Sequence, residues 1–219
     1  MPFRPFAVLV LALPLAARAL CTSDQVPQPQ AVLERFVSAD CEACWRDPRT
    51  PEPAANTVVL DWILPGRTGD DAPLSAVASQ DALDRLLALG KTAPERSSAV
   101  GSVRTGSTVA LRVAQGVPVN DYVGTTIELK QPGREAWNAW LLLVESLPAG
   151  AEGSPVARNL VRNVFRPDWD KAAGRAPGAL AETRAMQIHE GAKHDRLILV
   201  AILQDARGHI RAIRRTECP

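Results

Sequence analysis

Lysine is scarce in this chain. Only Lys91, Lys130, Lys171 and Lys193 occur, so arginine carries most of the 25 positive charges, which are set against 24 acidic residues. This near balance argues against the basic surface expected of a nucleic-acid binder or of a protein held on anionic lipid. Histidine is rarer still: His189, His194 and His209 lie far from the cysteines and fit no zinc-finger spacing, so no metal centre is expected. Gly-x-Ser-x-Gly, a phosphate-cradling glycine loop and paired carboxylates in a catalytic context are all missing, and no cofactor is expected either. No stretch reaches the roughly 18 apolar residues of a membrane span, so no membrane anchor is expected.

The short apolar run that does occur, Phe6 to Leu15, follows Arg4 and precedes Ala17-Arg18-Ala19. Positive start, apolar middle and small-x-small end read as a cleaved signal peptide over residues 1–19. Leu20 stands where lipid attachment at Cys21 would require a small residue. The expected location is therefore periplasmic or secreted. The arginine bias, with the abundance of alanine, points to a GC-rich bacterial genome. Removing Arg4 and Arg18 leaves 25 − 2 = 23 basic and 24 acidic residues. The remaining chain, about 200 residues, suffices for one domain or two small ones.

All four cysteines survive that cleavage, an even number suited to an oxidising compartment. Cys21 and Cys218 stand at opposite ends and Cys41 and Cys44 are close neighbours. The expected pairing is Cys21–Cys218 as a structural bond and Cys41–Cys44 as a local one, with crossed pairing of four structural cysteines left open.

The segment from Val32 to Trp45 carries the chemistry. An apolar run ends in Ser38-Ala39-Asp40 and delivers Cys41-Glu-Ala-Cys44. At a helix start, positions i and i+3 share a face, within disulfide reach. Strand, turn and CxxC in this order are how a thioredoxin-like domain presents its redox pair. Thr57 to Leu64 is a continuous β-branched and apolar run containing an unusual Asp61. Leu74 to Leu89 has helical spacing, with Ser79 as N-cap and Gly90 as stop. Residues 20–100 are thus expected to form an α/β thioredoxin-like region, although Pro48, Pro51 and Pro53 leave no room for a long helix after the cysteines. Residues 101–219 are expected to be antiparallel and β-rich, sandwich-like, with strands at Ser107 to Val113, Thr125 to Lys130, Ala139 to Glu145, Val156 to Phe165, Leu197 to Gln204 and His209 to Arg214. Asp205 to Gly208 reads as a hairpin turn.

In the redox reading Cys41 attacks and Cys44 resolves, with Glu42 opposing thiolate formation and Asp61 accepting the Cys44 proton. Partners are then protein thiols or disulfides. Two plainer readings stay open: a permanently oxidised surface disulfide, and an Asp61 that only satisfies a nearby loop. The Arg158 to Asn163 stretch reads as an amphipathic edge or as a partner-binding groove.

These motifs together resemble an uncharacterised family of secreted bacterial proteins with a thioredoxin-like N-terminal region and a β-rich C-terminal region. Glu34-Arg-Phe-Val-Ser-Ala-Asp-Cys-Glu-Ala-Cys44 is similar to that family's E-L-F-T-S-x-G-C-x-x-C. Trp140 to Glu145 resembles its W-L-A-L-V-E strand, Pro155 to Asn159 the segment after it, and Leu203 to Gly208 its closing hairpin. The resemblance implies a thiol–disulfide site with a cis-proline facing the cysteines, for which Pro118 in Val117-Pro118 is the candidate. The alternative function is a non-catalytic periplasmic binding or structural protein whose disulfides only stabilise the fold.

Overall fold

The computed structural model describes residues 21–170 and 178–218, and the leader expected over residues 1–19 lies outside them. The N-terminal elements are β1 (Cys21–Thr22), β2 (Ala31–Ser38), α1 (Glu42–Trp45), β3 (Thr57–Leu64), α2 (Gln80–Ala88) and β4 (Ser97–Val103). Seven strands follow: β5 (Leu111–Gln115), β6 (Tyr122–Leu129), β7 (Trp137–Leu147), β8 (Arg158–Phe165), β9 (Leu180–Gln187), β10 (Leu197–Asp205) and β11 (Ile210–Arg215).

These strands form two sheets. The larger has the order β11-β10-β7-β8-β3-β2-β4, and the smaller β1-β5-β6-β9. The large sheet is mixed: β2 and β3 run parallel, as do β3 and β8, whereas its other pairs are antiparallel. Its central strands are apolar on both faces, which suits burial between two layers. Alternation along β7 shows this directly. Trp137, Ala139, Leu141 and Leu143 pack against Val113, Val123 and Ile127 of the small sheet. Trp140, Leu142 and Val144 point the other way, into a core closed by Ala82 and Leu86 of α2.

The thioredoxin-like α/β expectation is overturned. Strands account for 43% of the structure and helix for 14%, and the α-helices among the described residues are two, of four and nine residues. The physical reason lies in the chain after the cysteines. Pro48, Pro51 and Pro53 cannot continue a helix, so α1 stops after one turn and the chain returns to β3 as a loop. The division at residue 100 falls inside β4, and β2, β3 and β4 share a sheet with β7, β8, β10 and β11.

Local signals of the other kind hold. The Ser79 side chain accepts from Ala82 N–H at 3.2 Å and starts α2, and Gly90 takes a φ of 67° just beyond its end. Gly208, with a φ of 81°, turns β10 into β11. The two chain ends meet: Thr22 and Glu217 exchange backbone hydrogen bonds of 3.1 and 2.9 Å beside the Cys21–Cys218 disulfide.

Candidate functional site: the close cysteine pair and an arginine-lined cleft

β2 carries its chain out of the sheet at Ser38, and Asp40 fixes the turn that follows. The Asp40 carboxylate accepts from Arg67 N–H at 2.6 Å and from the backbone and hydroxyl of Thr68. These bonds hold its carboxyl below the usual aspartate value, the Thr68 hydroxyl contributing most and the Arg67 amide next. Gly66 is required for this approach, since a Cβ there would stand 2.4 Å from Asp40 Oδ1.

Cys41 then caps α1, and Cys44 N–H returns to Cys41 C=O at 2.9 Å. The two sulfurs form a disulfide. Cys41 is half-buried and Cys44 buried, so the first residue is the more accessible of the two. Glu42, between them, is turned outward and pairs with Arg46 at 2.6 Å.

Asp61 does not serve the Cys44 sulfur. It is fully buried and its two oxygens accept four hydrogen bonds. Arg35 donates to Oδ1 at 2.8 Å and to Oδ2 at 2.6 Å, Arg158 to Oδ1 at 3.1 Å, and Asn159 N–H to Oδ2 at 2.8 Å. A carboxylate so occupied acts as a structural counter-ion for the two arginines. Pro118 is displaced from its expected role as well: it links β5 to β6 in the small sheet, and no peptide bond among the described residues is cis. The cysteine pair belongs to the other sheet.

Arg158 ties these parts together. It donates to Ser154 Oγ at 2.9 Å, Trp45 C=O at 2.7 Å and Thr50 Oγ1 at 3.0 Å, and its guanidinium lies 4.7 Å from the Trp45 ring centroid. Burial pulls its pKa down from the ordinary arginine value, against the opposing field of Asp61. Arg35 adds bonds to Pro51 C=O at 3.3 Å and Ala157 C=O at 3.1 Å, pinning the proline-rich loop. The β8 stretch read as an edge is therefore interior, lying between β7 and β3.

Over this network opens a cleft of about 400 Å³. Arg35 and Arg158 form its buried side, Cys44 and Val37 one wall, and Ser97, Ser98 and Ala99 of β4 another. Arg49 and Arg96 stand exposed at the rim. Arg49 pairs with Asp47 at 3.1 Å, whereas Arg96 forms no ion pair among the described residues. Sequence reasoning missed all four arginines as a group. The one available signal was Arg35 inside an apolar β2, opposite Asp61 in an equally apolar β3: two opposite charges in strands that should exclude both.

Among the described residues no group of three or more His, Cys, Asp or Glu is arranged to hold a metal ion, and no helix is long and apolar enough to cross a membrane. The chain matches no family model, no curated protein and no solved structure.

Proposed function

We propose that this is an exported thiol–disulfide exchange protein whose working pair is Cys41–Cys44, acting on protein thiols or disulfides in the periplasm or outside the cell. The observation that supports the reading is that the turn carrying the pair has anchors besides the disulfide. Asp40, Arg158 and the bond from Trp45 Nε1 to Glu152 C=O at 2.8 Å all anchor it independently. A bond closing so short a loop adds only about 2 kcal/mol in the chain-entropy account, against about 5 kcal/mol for one closing a loop the length of Cys21–Cys218. The close bond can open while the frame persists. The leader-like start and the paired cysteines support export.

In the reduced protein, the Cys41 thiolate attacks one sulfur of a substrate disulfide, and the other leaves as a thiolate and takes a proton. Cys44 then loses its proton and attacks Cys41 Sγ. This releases the second substrate thiol and restores the Cys41–Cys44 bond. The substrate gains two electrons and two protons, and the pair loses them.

Burial of Cys44 and the placement of Pro118 favour the competing reading, a binding or structural protein with a permanent staple. Titration in glutathione buffers decides between them, with each cysteine mapped by mass spectrometry. The exchange reading expects a Cys41–Cys44 potential between about −270 and −120 mV with Cys21–Cys218 still closed. A close pair that stays oxidised below about −300 mV sinks it.

A further inference from the structure

We propose that the arginine-lined cleft is a binding site for a small organic polyanion, a molecule bearing at least two carboxylate or phosphate groups. Four guanidiniums bound this space: Arg35 and Arg158 inside, Arg49 and Arg96 at the rim. Two carboxylates answer them, Asp61 beneath and Asp47 in the wall, so positive charge is in excess. Asp61 alone already serves both interior arginines, and the carbonyls of Trp45, Pro51 and Ala157 take further donors. Folding therefore does not call for the rim cations. Arg96 in particular forms no ion pair with the described residues, yet it stands beside the cleft with Arg49.

The geometry suits an oxyanion ligand. Guanidinium groups present paired donors matched to carboxylate and phosphate oxygens. Ser97 and Ser98 add hydroxyl groups around the same space, whereas the Thr50 hydroxyl is already spent on Asp47 C=O and Arg158. A cleft of about 400 Å³ admits a small metabolite but not a folded domain. Val37, Ala99 and Pro51 supply a modest apolar wall, which fits a short carbon skeleton between the charged ends. This inference does not depend on exchange at Cys41–Cys44.

Calorimetry with citrate and with pyrophosphate, at constant ionic strength, tests the site. Saturable one-to-one binding of either probe is expected, and the tighter one reports whether carboxylate or phosphate is preferred. The rim double variant Arg49→Ala/Arg96→Ala removes exposed side chains only and keeps the fold, as its thermal melt verifies. It should weaken binding about tenfold or more. Absence of saturable binding by both probes up to about 10 mM, or unchanged affinity in the double variant, overturns the proposal.

Discussion

The paired strands β2 and β3 carry a buried ion network on each face, and the two networks are built differently. On the face covered by α2, Arg85 donates to Glu34 at 2.6 and 2.7 Å, and Glu34 also accepts from Trp62 Nε1 at 3.1 Å. Arg85 completes itself on Gln204 at 3.1 Å and lies 4.9 Å from the Trp140 ring centroid. Both charged side chains are 0% exposed, one cation matched to one anion. On the opposite face one carboxylate, Asp61, serves two arginines, and those arginines line a cleft. Burial of a charge is common to both faces. Unequal numbers of cations and anions, together with solvent access, belong to one. These two properties distinguish a place where a ligand fits from a place where the fold is merely satisfied.

The largest expected effects test that distinction directly. Glu34→Ala strands Arg85 in a sealed core, and Asp61→Ala leaves Arg35 and Arg158 facing one another. Each should cost about 3–5 kcal/mol in urea unfolding, the range for breaking a buried pair from one side. The faces should then part company on addition of phosphate or citrate. Asp61→Ala should regain stability, because an anion entering the cleft replaces the lost carboxylate, while Glu34→Ala should not respond beyond the general salt effect. Equal rescue of both variants would remove the difference between the faces.

How much of this was legible beforehand follows the range of the interactions. Turn and cap signals depend on a few neighbouring residues, and they were read correctly at Ser79, Gly90 and Asp205 to Gly208. The β3 span was also read to its ends, since Thr57 to Leu64 is continuous and β-branched. β4 and β9 escaped notice for opposite reasons. Ser-Ser-Ala-Val-Gly-Ser-Val has little apolar bulk, and Leu-Ala-Glu-Thr-Arg-Ala-Met-Gln favours helix when isolated. Their pairing with β2 and β6 overrides those preferences. The site was half visible. Cys41 and Cys44 announce themselves by spacing, but Arg158 reaches Asp61 across 97 positions of chain, a distance over which one sequence carries no signal. The same limit hid the partners of Asp61, which come from β2 and β8.

A smaller effect is expected from the cover of the sealed face. Ser79→Ala removes the side-chain bond to Ala82 N–H that starts α2, and should cost about 1 kcal/mol. If the two faces are independent, the Cys41–Cys44 potential and the affinity for citrate should stay at their wild-type values in this variant. A shift in either would show that α2 supports the cleft through the sheet.

The smallest effect concerns acid, and on the open face it is read at Asp40. The Asp40 carboxyl is held below its ordinary value of 3.8 by the Thr68 hydroxyl and the Arg67 amide. A lowered carboxyl pKa stabilises the folded form above the ordinary value, and this contribution fades as pH falls through the lower, folded value. Below about pH 4 the clasp on the Cys41 turn should therefore loosen progressively. In an NMR titration the Arg67 and Thr68 amide signals should move together with a midpoint under 3.8, whereas signals around Asp81 on α2, whose carboxyl burial holds above the ordinary value, should move at higher pH. Asp40→Asn should abolish that transition. It should also speed reduction of Cys41–Cys44 at neutral pH, because the turn then loses one of its independent anchors. A midpoint at or above 3.8 would mean that Asp40 does not hold the turn, leaving Arg158 and Trp45 as its anchors besides the disulfide.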